Sequence, residues 1–169
     1  MATSPRSFKA QRLGAWLAAH HPGLRWCCPQ LPPSPREAMA LARELTASWP
    51  LAGSAVVGSS LGGFYAMALA EEHGWRCVLL NPAVDPAPYD ASSLIPDAPK
   101  LSRPLLLVHG LADDNVVAAH TLLLSSALLA AGKPHEVLPL SGVTHMTPQV
   151  VVAENLLLHQ LDFLRRSLG

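Results

Sequence analysis

"VVGSSLGGFYAMALA" spans residues 56–70. It opens as an apolar run, passes through two serines hemmed in by glycines, and continues as an Ala-rich helical segment. Three templates put glycine and serine at a seam between strand and helix. A phosphate-binding loop needs Lys and then Ser or Thr after its last glycine, but Gly63 is followed by Phe64 and Tyr65. A dinucleotide fingerprint needs G-x-G at its start, which Gly58-Ser59-Ser60 does not supply. The third, G-x-S-x-G, fits in one register only, with Gly58 and Gly62 flanking Ser60. In that template the sharp turn holds the serine in a strained backbone with its hydroxyl above the sheet. Its neighbours must be small, because the helix starts almost against the strand. The N–H of Leu61 then faces the place where an oxyanion would form, and the helix N-terminus favours negative charge there.

Strand-length and helix-length segments alternate on both sides of this seam. "LRWCC" (24–28) reads as a strand, and "SPREAMALARELTASW" (34–49) as a helix with Ser34 as cap and Pro35 in the first turn. "SAVVG" (54–58) is a strand, 61–73 a helix stopped by Gly74, and "RCVLL" (76–80) a strand. A loop at 81–101, studded with Pro82, Pro86, Pro88, Pro96 and Pro99, reads as a stiff surface excursion, with a small lid or plain structural filler as its role. "LLLVHG" (105–110) and "HEVLPL" (135–140) are strands, with helices at 116–131 and 148–168. Continuous apolar strands separated by helices predict a mostly parallel sheet with helices on both faces, in a single domain over 1–169. Ligands of such sheets sit at the C-terminal ends of the strands.

A nucleophilic serine needs a base, and the base needs an acid to orient it. "LLLVHGLADDNVV" places Asp113 just past one strand, and "LPLSGVTHMTP" places His145 just past the next. Both fall on the same sheet edge as Ser60, in the chain order Ser, Asp, His. Asp114 is the rival acid, although an Asp just before a helix often only caps it. His109 reads as a partner of nearby backbone. His20, His21, His73, His120, His135 and His159 read as solvated or structural, and Asp85, Asp90 and Asp97 as turn formers. No His, Cys and carboxylate set has metal-ligand spacing, so neither metal nor cofactor is expected.

Bulk composition narrows the partners. Of 169 residues, half are apolar and 14% charged, with 12 basic residues balancing 12 acidic ones. No basic cluster supplies the field that a nucleic acid or an anionic membrane surface requires. No apolar run approaches the roughly 18 residues of a membrane span. "LGAWLAA" after Arg6, Lys9 and Arg12 weakly imitates a secretory signal, but an amphipathic helix fits it better. Cys27, Cys28 and Cys77 read as thiols of a reducing compartment, which makes a cytoplasmic location the expectation.

The segments "SPRSFKAQ", "PQLPPSP", "VVGSSLGGFYA" and "LLNPAVDP", from about Ser4 to Pro86, resemble those of the small bacterial α/β-hydrolase esterases of the YqiA-like group, in the same order. Past residue 90 the resemblance weakens, with Asp113 and His145 at that group's "GDE"-type and "GG-x-H"-type positions. "HGLADDNV" also resembles the acid-bearing turn of prolyl-oligopeptidase-type hydrolases, whose first Asp serves the triad. The resemblance implies an α/β-hydrolase fold and hydrolysis of short acyl or aryl esters, with Ser60, His145 and Asp113 as the triad. The little sequence between the strands at 76–80 and 105–110 leaves scarcely room for a large cap, so a minimal or absent one is expected. A thioesterase, a small peptidase, and a non-catalytic binding protein on the same scaffold stay open as alternatives. In that group "SSP" follows a strand ending in "HGF", which lies between the strands at 24–28 and 54–58 and whose loop gives the second oxyanion N–H. This chain starts at "MATSPRSF" and so reads as N-terminally truncated, which leads to the expectation of a natural start upstream of Met1; the alternative is a short chain whose neighbouring strands pair directly and whose catalysis is weak or absent.

Overall fold

Three of the strands read from apolar runs form between the residues expected of them, and the fourth lies one residue further on. β1 (Ala55–Ser59), β2 (Arg76–Leu80), β3 (Leu105–Gly110) and β4 (His135–Leu140) make one parallel sheet in the order β1-β2-β3-β4. The computed structural model describes residues 4–84, 93–147 and 149–168. Helices α1 (Phe8–His20) and α2 (Pro35–Thr46) precede the sheet. α3 (Gly62–His73), α4 (Ala119–Ala130) and α5 (Val150–Leu168) alternate with its strands or follow them.

Alternation of side chains across the pleat divides the core in two. Cys77 and Leu79 of β2 and Leu105 and Leu107 of β3 point to one face, where Ala66, Met67 and Ala70 of α3 and Leu124 and Leu128 of α4 cover them. Val78, Leu80, Leu106 and Val108 point to the other, against Leu156 and Phe163 of α5. Helices therefore cover both faces, as the apolar runs of β2 and β3 require. β1 and β4 are the edges. β1 keeps Val56 and Val57 only half-buried, and β4 has no fully buried residue and tolerates Pro139, which an edge strand allows.

Gly74 ends α3 in the left-handed conformation (φ 63°), its N–H bonded to the Ala70 carbonyl. The described residues fall into two compact units, divided between Ala47 and Ser48, the second holding the whole sheet. In the first, Ser7 and Ser34 cap α1 and α2 through their hydroxyls, and Pro35 occupies the first turn of α2.

Two expectations are corrected. Leu24–Cys28 is not a strand: the segment has no ladder partner in its unit, and Leu24 and Trp26 are exposed. A short apolar run specifies a strand only where another strand can accept its hydrogen bonds. The described ends of the 81–101 loop are core rather than surface excursion. Val84, Leu94, Ala98 and Leu101 are buried among α3, α4 and the sheet, and the Leu94 N–H donates to the Val84 carbonyl at 2.9 Å. The prolines masked how many apolar residues lie between them. Pro86, Pro88, Asp85 and Asp90, and with them the centre of the suggested lid, lie outside the described residues.

Candidate active site

Ser60 follows β1 directly and has φ 54°, the left-handed region that an L-residue enters only at a cost. Three backbone bonds hold it there. Its N–H donates to the Leu80 carbonyl (3.0 Å), and its own carbonyl accepts from Gly63 (2.9 Å) and Ala83 (3.3 Å). Ser59, by contrast, is the last residue of the β1 ladder, paired with Leu80. Gly58 is obligatory: a Cβ on it would lie 2.4 Å from the Gly62 carbonyl oxygen and 2.6 Å from Ala66 Cβ. Gly62 is buried as the first residue of α3. Leu61 precedes it, and among the described residues its N–H has no hydrogen-bond acceptor. An uncommitted donor at a helix N-terminus, one residue past Ser60, can stabilise negative charge beside that serine.

Asp113 and His145 are brought together. The His145 Nδ1–H donates to Asp113 Oδ2 at 2.7 Å; the Asp113 side chain is wholly buried and that of His145 is 18% exposed. The backbone fixes this pairing. Past β3, the Leu111 N–H reaches the Leu140 carbonyl (2.9 Å) and the Ala112 N–H the Val143 carbonyl (3.0 Å). Gly110 permits the approach, since a Cβ there would meet the Val143 oxygen at 2.3 Å. The N–H groups of Asn115 (3.0 Å) and Val116 (2.9 Å) both donate to Asp113 Oδ1. Burial alone would raise the Asp113 carboxyl. The Val116 N–H, the His145 contact and the Asn115 N–H more than offset it and hold the group below its ordinary range. Asp113 is therefore a carboxylate at neutral pH, whereas the rival Asp114 is exposed.

His109 is buried and structural. Thr121 Oγ1 lies 2.6 Å from its Nδ1, and its Nε2–H donates to the Val116 carbonyl at 2.8 Å, which steadies the turn that carries Asp113. Three further residues were not singled out in the sequence. Asn81, just past β2, is buried with φ 46°; its Nδ2 donates to Asp113 Oδ2 at 2.6 Å and its Oδ1 accepts from Gly110 N–H at 3.1 Å. Thr147, two residues past His145, is buried with φ 48°. Gly110 completes the set. The only signal for them was position: each lies at or just beyond the end of a strand, or in the loop after it, on the edge that carries Ser60. Ser60, Asn81 and Thr147 are the described non-glycine residues with positive φ, and all three sit at this edge. Strain of this kind concentrates at functional sites.

Among the described residues, no group of three or more His, Cys, Asp or Glu is arranged to hold a metal ion. No helix among them is long and apolar enough to cross a membrane.

Comparison with known proteins bears on the fold and the family. Residues 1–94 match the Uncharacterised protein family (UPF0227), and residues 72–169 match the Prolyl oligopeptidase family. Dipeptidyl peptidase 8 of human and of mouse is 40% identical over 65 residues, a stretch that is 38% of this chain and 7% of that protein. Among solved structures, the esterase domain of a Rhodothermus marinus protein superposes with a TM-score of 0.68 at 19% identity, covering 80% of this chain and 70% of that one. A puromycin-hydrolyzing peptidase of Mycobacterium tuberculosis gives 0.67 at 21% identity, covering 79% and 25%. Dipeptidyl peptidase 4 of Porphyromonas gingivalis gives 0.63 at 21%, covering 78% and 22%. This chain thus spans a quarter or less of those peptidases, but most of the esterase domain. The chain has the α/β-hydrolase fold and belongs to the Prolyl oligopeptidase family through residues 72–169 and to the Uncharacterised protein family (UPF0227) through residues 1–94.

Proposed function

We propose that the protein is a serine hydrolase of small carboxylic esters, with Ser60 as nucleophile, His145 as general base and acid, and Asp113 as the orienting carboxylate. The observation that carries this reading is the 2.7 Å bond from His145 Nδ1–H to the buried Asp113 carboxylate, on the same sheet edge as the strained Ser60. With Nδ1 holding the proton, Nε2 is the basic nitrogen. In the proposed reaction Ser60 Oγ bonds to the ester carbonyl carbon while its proton passes to Nε2. The Leu61 N–H stabilises the oxyanion, a contribution of roughly 10²–10³ in rate for one such donor. The carbon–oxygen bond to the alcohol then breaks, the imidazolium protonates the leaving oxygen, and water releases the acid by the same steps.

The match to most of an esterase domain supports ester substrates. Peptide substrates are a second reading, favoured by the family match over residues 72–169 and by the 40% identity to dipeptidyl peptidase 8. The test is hydrolysis of p-nitrophenyl acetate and butyrate, acyl thioesters and aminoacyl anilides by the native chain and by Ser60→Ala. Turnover of the p-nitrophenyl esters above the other classes, abolished in Ser60→Ala, is the expected result. Dominant anilide or thioester turnover redirects the substrate assignment, and ester hydrolysis undiminished in Ser60→Ala overturns the role of Ser60.

A further inference from the structure

We propose that Asn81 is a positioning residue of this site, holding the Asp113 carboxylate in the orientation that receives the His145 imidazole. The inference rests on the triad reading above and adds to it a residue just past a strand that supplies no member of the triad.

An ionised carboxylate accepts at about four lone-pair positions, and at Asp113 four donors occupy them. Oδ1 takes the N–H groups of Asn115 and Val116, both from its own turn. Oδ2 takes the His145 Nδ1–H at 2.7 Å and the Asn81 Nδ2–H at 2.6 Å. Among the described residues, Asn81 is thus the one non-catalytic group on the oxygen that faces the imidazole. The two Oδ1 bonds alone leave the carboxylate able to pivot about its bond to Cβ, and the Asn81 amide fixes where Oδ2 lies.

Asn81 is itself held at both ends. Its backbone N–H donates to the Val108 carbonyl at 2.7 Å, and its Oδ1 accepts from the Gly110 N–H. This pins the end of β2 to the end of β3, the strand that leads into Asp113. The Gly110 bond also fixes which way the amide lies, with oxygen toward Gly110 and NH₂ toward the carboxylate. A backbone φ of 46° aims the side chain there, and asparagine tolerates that conformation better than most residues. Only a side chain with an acceptor and a donor on one short, planar group serves both contacts at once. The other titratable groups at this end of β3 are His109, engaged by Thr121 and the Val116 carbonyl, and the exposed Asp114.

Two substitutions separate positioning from bulk structure. Asn81→Gly accommodates the positive φ and removes the side chain that carries the amide. It is expected to lower kcat roughly ten- to a hundredfold with KM unchanged, in line with the loss of one hydrogen bond to a charged group. It is also expected to shift and broaden the low-field proton resonance of His145 Nδ1–H. Asn81→Asp keeps the shape but sets a second carboxyl group against Asp113. While the pair shares one proton, the new group still donates; when that proton leaves, the donor becomes a like charge. A basic limb absent from the native pH profile of kcat is the expected result.

Asp113→Asn is the control for the triad itself and should abolish both the resonance and turnover. If it leaves both intact, the triad reading and this proposal fall together. If it abolishes both while Asn81→Gly keeps native kcat and resonance, the positioning role is overturned and the triad stands. Should Asn81→Gly fail to fold, Asn81→Asp decides: a pH profile superimposable on the native one overturns the proposal.

Discussion

Replacing Ser60 by glycine is expected to make the protein more stable while removing its chemistry. Ser60 sits at φ 54°, pinned by bonds to Leu80, Gly63 and Ala83 that would persist in any residue at that position. The left-handed conformation costs an L-residue roughly 1–2 kcal/mol. Glycine escapes that cost but brings back roughly 0.5–1 kcal/mol through its more flexible unfolded chain. The difference leaves S60G about 0.5–1 kcal/mol more stable than the native protein, or roughly 1–4 °C in Tm for a chain of this size. S60A supplies the comparison: it loses the hydroxyl but keeps Cβ and therefore the strain, so S60G minus S60A isolates the backbone. Urea unfolding followed by far-ultraviolet circular dichroism measures both variants against the native chain. An S60G midpoint at or below that of S60A would refute the claim that strain is stored at this residue.

Three other perturbations test the site and its surroundings. Gly110→Ala drives a Cβ to within 2.3 Å of the Val143 oxygen and forces apart the segments that carry Asp113 and His145. A loss of about 1–3 kcal/mol is expected from the overpacking, with ester hydrolysis down at least about tenfold for a displaced triad; native activity would contradict this. Glu71 of α3 is raised from 4.5 to about 7, by burial first and then by the charge of Asp97. A carboxyl raised on folding binds its proton more tightly in the native state, so stability falls as pH climbs from about 4.5 to about 7, by roughly 1–2 kcal/mol after allowing for partial solvent screening. Glu71→Gln should flatten that slope in unfolding titrations, and an unchanged slope would exclude Glu71 as its source. Asp113 is lowered on folding, so its contribution is present above its unfolded value and is lost as pH falls through the folded one. The stability gap between native protein and Asp113→Asn should therefore narrow below about pH 4, and a constant gap would contradict the assignment.

Much of the geometry of the candidate site was legible because its parts obey local rules. Gly58, Ser60 and Gly62 are dictated by the close approach of strand and helix, which a single chain segment records. Asp113 and His145 could be placed because parallel strands deliver successive loops to one edge, so chain order translates into position. β2 and β3 were equally plain, since a strand buried on both faces needs an unbroken apolar run. Leu24–Cys28 shows the limit: its composition suits a strand, but ladder formation depends on a neighbour that the segment does not encode. Asn81 and Gly110 were illegible for a related reason. Their importance lies in contacts 32 and 33 residues away along the chain, to Asp113 and to Val143, and neither leaves a local pattern. Thr147 is harder still, because a β-branched residue gives no hint of a positive φ.

Reaction of the native chain with a fluorophosphonate, followed by mass-spectrometric mapping of the adduct, tests the whole site at once. The reagent captures a serine hydroxyl only where a base and an oxyanion donor activate it. One adduct on Ser60, absent in S60A and strongly slowed in His145→Ala and Asp113→Asn, is the expected result. No adduct at high protein concentration, or an adduct on Ser59, would contradict the assignment of Ser60 as the nucleophile.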